Sequence, residues 1–196
     1  MPSSIDICSN ALMLIGDNPI SSFQDAGAGA QVAAALYQVT KEELLAEHPW
    51  SFALKQQRLN RLSQIPDKLT NYQYAFQLPT DLIRVWNVQD HTDYILIDGL
   101  LYSNQTTLLC TYIYNVADTS LPPHVVKALQ YKLAEDFAMS VTEDQQKSQL
   151  MAVKASTQTA KAMGIDSQGR PQMGIIDSPL VDARFSGTNS ADRRGY

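Results

Sequence analysis

The apolar pattern of this chain changes period twice. Up to Pro49, and again beyond about Val116, apolar residues recur at helical spacing; between Trp50 and Val116 that spacing fades, and both tryptophans and ten of the sixteen aromatic residues gather there. Aromatic and β-branched side chains suit a pleated, half-buried surface, and a stripe of helical period has no face to sit on in a strand. The chain is therefore read as α+β, with its strands between two pairs of helices.

Ile5, Cys8, Leu12 and Ile15 predict a helix over Ser4–Ile15, ended by Gly16. Ala30, Ala33, Tyr37, Thr40 and Leu44 predict a second over Ala28–Glu47, with Val32, Leu36 and Val39 widening its buried side. His48-Pro49 stops it, because proline lacks a backbone donor and drives the preceding residue out of helical geometry. Strands are predicted over Ser51–Asn60, Tyr72–Gln77, Leu82–Val88, Tyr94–Ile97, Leu100–Ser103 and Thr107–Tyr114, with Asp98-Gly99 as a tight hairpin turn. Ser120-Leu121-Pro122-Pro123 opens a third helix with a Val126, Leu129, Leu133, Phe137 stripe, running to about Ser140. Thr142 to Gln145 reads as a capping box for a fourth helix, which buries Met151, Ala155 and Ala162, reaches Met163 and ends at Gly164. The expected architecture is an antiparallel four-helix bundle (1–49 and 118–164) with an inserted antiparallel β domain (50–117) and an extended C-terminal arm (165–196).

At 196 residues, 44% hydrophobic and 18% charged, the chain has the composition of a globular domain that builds its own core. Its longest apolar run, Val32 to Tyr37, is far short of the about 20 residues that span a bilayer, so no membrane segment is expected. The start, Met1-Pro2-Ser3-Ser4-Ile5-Asp6, lacks the features of a secretory signal, which points to maturation in the cytoplasm. Cys8 and Cys110 are read as small buried apolar residues rather than a bridge. A net charge of −5 argues against a protein that grips DNA through its phosphates.

Few residue patterns in the chain point to chemistry. His48, His91 and His124 form no metal-binding spacing, and no metal or cofactor is expected. Glu42, Glu43 and Glu47 read as a charged helix face, and Asp90, Asp93 and Asp98 around His91 as turn residues. Ala26-Gly27-Ala28-Gly29-Ala30 lacks the lysine and the preceding strand of a phosphate loop, and is read as a flexible helix start. No nucleophile elbow is present. The C-terminal arm carries Ile175, Ile176, Leu180, Val181 and Phe185, which fit either a frayed terminus or a segment that orders against a neighbour.

Two stretches carry a resemblance. Leu14-Ile15-Gly16-Asp17-Asn18-Pro19-Ile20-Ser21-Ser22-Phe23, followed by Leu44-Leu45 and His48-Pro49-Trp50-Ser51-Phe52-Ala53, resembles the N-terminal half of the tail tubular protein A family, the tail adaptors of short-tailed bacteriophages. Tyr74-Ala75-Phe76-Gln77-Leu78-Pro79-Thr80-Asp81-Leu82-Ile83-Arg84-Val85 is similar to the aromatic, Pro-x-Asp, Arg-Val start of that family's β region. The resemblance implies a structural virion protein and no enzyme: one subunit of an adaptor ring, commonly of twelve copies, joining portal to tail nozzle at the head-tail interface and assembled in the host cytoplasm. DNA passes through such a lumen without specific binding, and twelve copies would carry about −60, a field that repels duplex. The resemblance does not extend to the arm; taken with the arm's apolar composition, the adaptor reading leads to the expectation that Ile175, Ile176, Leu180, Val181 and Phe185 dock on the portal, while His48, Pro49, Trp50, Pro79, Asp81 and Arg84 are read as structural. A head-completion or tail-completion connector of another tailed phage is the neighbouring alternative. A small α+β hydrolase with a site scattered over loops, Asp90 and His91 among them, is the alternative of another class.

Overall fold

Local signals set the helix ends. In the computed structural model, which describes residues 2–63, 71–89 and 93–169, helix α1 spans Ser4–Ile15. Ser3 and Asp6 close a reciprocal cap at its start, and Gly16 ends it in the left-handed region at φ 86°. Helix α2 spans Ala28–Glu47 and stops at extended His48, as the following proline requires. Its glycines do more than ease the helix start: a Cβ on Gly29 would come within 3.1 Å of Leu12 and 3.0 Å of an Asp17 oxygen, so glycine there lets α2 approach α1. The expected wide apolar side is narrower in fact. Val32 and Leu36 are half-buried and Val39 is exposed, while Thr40 and Lys41 are buried.

Seven strands follow among the described residues: β1 Leu54–Arg58, β2 Asn60–Arg61, β3 Tyr74–Gln77, β4 Leu82–Val88, β5 Tyr94–Ile97, β6 Leu100–Ser103 and β7 Leu109–Tyr114. The single strand expected over Ser51–Asn60 is a short 3-10 turn at Ser51–Ala53 and then β1. Asp98 and Gly99 turn between β5 and β6 with φ 50° and 72°, the positive pair a tight hairpin demands. All pairing is antiparallel and forms two sheets, β1-β7-β4 and β2-β3-β6-β5, the first bulged twice along β4. Because β1 and β2 are separated only by Leu59, one run of chain passes from an edge of one sheet to an edge of the other.

Helix α3 spans Pro123–Thr142 and α4 spans Gln145–Gln168. Two expectations are corrected here. Thr142 closes α3, donating to the Ala138 carbonyl, and Asp144 caps α4 by accepting from the backbone N–H groups of Gln146 and Lys147. The fourth helix does not end at Gly164: a buried Asp166 ties its last turn to the rest of the fold, and that tertiary anchor outweighs the weak helical preference of glycine.

The architecture also corrects the four-helix bundle with an inserted domain. It is α+β, with four helices and two antiparallel sheets among the described residues, and the helices do not close on themselves. Helix α3 is the hub, burying Val125, Val126, Leu129, Leu133, Ala134 and Phe137 against α1, α2 and α4. Helix α4 packs chiefly on α3, while its Lys147 reaches the Ile15 carbonyl at the end of α1 and its Asp166 reaches Ser51. The open side of the helical core is covered by the three-stranded sheet, which contributes Ile113 to it, with Leu54 and Ile83 partly buried alongside. Alternation along β7 explains this sharing: Ile113 faces the helices, whereas Cys110 and Tyr112 point the other way, into a second core with Phe76, Val88 and Leu101. The order of layers is helices, three-stranded sheet, four-stranded sheet, so the middle sheet is part of both cores and the β region is not a free-standing insert.

Candidate interaction surfaces

The His48-Pro49-Trp50 turn is the joint between helices and sheet. Pro49 redirects the chain and drops Trp50 into the core with none of its surface exposed; its indole N–H donates to the Leu44 carbonyl at 2.9 Å, tying the turn back to the helix it leaves. His48 packs edge-on against Trp50 at 4.9 Å between ring centroids, and Phe52 lies 6.0 Å from it on the other side. From α4, the carboxylate of Asp166 accepts from the Ser51 hydroxyl at 2.6 Å and from its N–H at 3.0 and 3.1 Å. His48 Nε2 stands 3.5 Å from the same carboxylate, beyond hydrogen-bond length. A serine, a histidine and an aspartate thus meet here, but the aspartate lies between the other two. A histidine that does not reach the hydroxyl cannot take its proton, so the cluster is a structural cap.

The second stretch builds another joint. Pro79 opens the turn into β4, its carbonyl accepting from Leu82 N–H. Asp81 takes partners distant in sequence: Lys55 of β1 at 2.9 Å and the Tyr112 hydroxyl of β7 at 3.1 Å. The Lys55 bond, helped by Tyr112, holds its carboxyl below the usual carboxylate range. Arg84 stacks over the exposed Trp86, 5.6 Å from the ring.

Several other titratable groups join one helix to another. Glu43 and Glu47, read as a solvated face, both pair with Lys132 of α3. Burial pulls Lys132 down, but the two carboxylates outweigh it and raise it. Lys41, almost wholly buried, pairs with Asp118 at 2.6 Å; burial and that carboxylate push the Tyr37 phenol up, the reverse of what a catalytic tyrosine needs. His124 lies in the first turn of α3, and no group of metal-binding side chains occurs among the described residues. A groove of about 440 Å³ between α3 and α4 is rimmed by Glu47, Lys132 and Glu135, with Lys132 held by Glu47.

Asp136 gives a pH prediction. Burial raises its carboxyl above the usual 3.8, a hydrogen bond from Thr40 at 2.9 Å opposes this, and Glu43 adds to the rise. A carboxyl raised by folding binds its proton more tightly folded than unfolded, so it costs stability as pH climbs through that window. Asp136→Asn keeps an acceptor for Thr40 and removes the charge. It is expected to match the parent in thermal melts at about pH 3 and to exceed it at about pH 7; a less stable variant at the higher pH contradicts this.

The cysteines give a second prediction. Burial pushes the Cys8 thiol up to about 12, with Asp118 adding to it, and burial alone pushes Cys110 up to about 11. Both side chains are fully enclosed. Neither should react with an aromatic disulfide at about pH 8 in the folded chain, and both should react once it is unfolded. One full equivalent of rapid labelling under native conditions contradicts this.

Apolar groups that the fold leaves outside are concentrated in the β region and along α4. Trp86, Tyr94, Ile95 and Leu96 are exposed in the first, Leu150, Val153 and Ile165 in the second. Strand β5 is exposed at three successive positions, so its side chains are bare on both faces. The sequence marks β5 as a strand but not as an edge; only the pairing order reveals that. Ile175, Ile176, Leu180, Val181 and Phe185, with Asp90 and His91, lie outside the described residues. No described helix is long and apolar enough to cross a membrane. In comparisons with known proteins, no family model and no curated protein matches the chain.

Proposed function

We propose that this chain is a structural virion protein, one subunit of the adaptor ring between the portal and the tail of a bacteriophage. The observation that carries the reading is a convergence. The two stretches bearing the resemblance, separated by some twenty residues of chain, meet at β1: His48-Pro49-Trp50-Ser51 leads directly into it, and Lys55 within it pairs with Asp81 of the second stretch. Motifs that serve only to join helices to sheets suit a part whose task is shape. Ser51, Asp166, Glu43 and Glu47, each with catalytic potential, are engaged in a cap and in ion pairs, which favours an assembly role over the hydrolase alternative. In this proposal the subunits form a ring, commonly of twelve, the lumen passes DNA without binding it, and the arm bearing Ile175, Ile176, Leu180, Val181 and Phe185 docks on the portal.

The test is reconstitution. The full chain mixed with the portal of the phage that carries it should bind and appear as a ring on the portal in electron micrographs. A chain ending at residue 169 should bind the portal more weakly. Absence of both binding and rings overturns the proposal.

A further inference from the structure

Two strands of the β region break the rule that one side of a strand is covered. Strand β5 edges the four-stranded sheet, has only β6 beside it, and exposes Tyr94, Ile95 and Leu96 by 38, 40 and 46%. Strand β1 edges the three-stranded sheet, has only β7 beside it, and exposes Lys55, Gln56, Gln57 and Arg58 in succession. Each therefore presents, on its outer side, a row of backbone donors and acceptors with no strand against it among the described residues. The two edges differ in charge. Exposed Asp93 and Asp98 bracket β5, whereas β1 carries Lys55 and Arg58, with Arg61 just beyond it. Lys55 is already tied to Asp81, but Arg58 forms no salt bridge within the described chain.

We propose that β5 of one copy pairs antiparallel with the free edge of β1 on the next copy. Setting Tyr94–Ile97 opposite Leu54–Gln57 gives main-chain bonding over four residues and brings Asp93 opposite Arg58. It also lays Leu96 along the aliphatic stem of Lys55 and Ile97 beside the half-buried Leu54. Charge selects this occupant over self-pairing: β5 against its own copy, with Tyr94 opposite Ile97, would put Asp93 against Asp98 at both ends, like charges directly opposed. The contact uses two different patches of one molecule, so it repeats from copy to copy and either closes into a ring or runs on as a filament. It rests on the adaptor reading only for that closure.

Register makes the test specific, since Ile95 falls opposite Gln56. Full-length Ile95→Cys and Gln56→Cys variants are oxidised mildly, at high concentration and on the portal, with the buried native cysteines silent. The mixture of the two should yield a disulfide-linked dimer that neither yields alone, and the double variant a ladder of multimers. Asp93→Arg and Arg58→Asp should each weaken association by about tenfold and restore it when combined. Rings on the portal without cross-links overturn the strand pairing and leave the adaptor reading standing. Cross-linked multimers that never bind the portal do the reverse. Cross-linking of Ile95→Cys with itself, or none in any condition, overturns the pairing.

Discussion

Replacing Trp50 by alanine is expected to cost about 3–5 kcal/mol of folding stability, which for a chain of this size lowers the melting temperature by roughly 10 °C or more. Trp50 is the largest side chain with no exposed surface, and it lies where α2, the sheet and α4 come together. Its removal leaves a void that rigid neighbours cannot fill: Pro49 fixes the backbone on one side, and the Asp166 carboxylate holds Ser51 on the other. Trp50→Phe retains most of the apolar contact but leaves the Leu44 carbonyl without its donor, and should cost about 1–3 kcal/mol. Emission gives an independent readout, because the other tryptophan, Trp86, is nearly half exposed. The alanine variant should lose the blue-shifted component and keep the solvent-exposed one. A loss below about 1 kcal/mol for Trp50→Ala would contradict the central place given to this residue.

Asp166→Ala carries the second large effect, about 1.5–3 kcal/mol. Its carboxylate accepts from both the N–H and the hydroxyl of Ser51, 115 residues away in sequence, and these charge-assisted bonds fasten the end of α4 to the start of the sheet. Without them the last turn of α4 keeps only its own bonds, with Gly164 in its midst, and it should fray. Hydrogen exchange is expected to quicken over residues 164–168 and at Ser51 while the centre of α3 stays protected. Asp166→Asn, which still offers an oxygen to Ser51, should lose less. Equal stability and unchanged exchange in the alanine variant would contradict the anchoring role. Because Asp166 lies at the start of the 165–196 arm, Asp166→Ala should also weaken portal binding if the arm is the docking element.

What the sequence reveals and hides follows from the range of each interaction. Helix ends governed by neighbours in sequence were legible: Gly16 and Pro49 stop α1 and α2 at the expected residues, and the Asp98-Gly99 turn forms as its φ requirement dictates. Ends governed by distant residues were not. Gly164 reads as a stop until Ser51 comes into view, and Thr142 reads as a cap until Asp144 is seen to take the backbone donors instead. The bundle reading failed for a related reason. Apolar stripes show that four helices need covering, but not that Ile113 and half-buried Leu54 and Ile83 do part of that covering. The glutamates show the same division: Glu43 and Glu47 do lie exposed on a charged helix face, but their partner, Lys132, comes from another helix and no local pattern names it. Exposure of an edge strand is a property of sheet order, which no local pattern in Tyr94–Ile97 specifies.

Electron microscopy of the full chain mixed with the portal of the phage proposed to carry it is the direct test of a ring-forming adaptor. A ring-forming adaptor should appear as a single ring of symmetry-related subunits seated on the portal, with density for the arm reaching into it. Subunits that remain dispersed beside bare portals, at concentrations well above those in an infected cell, would contradict it.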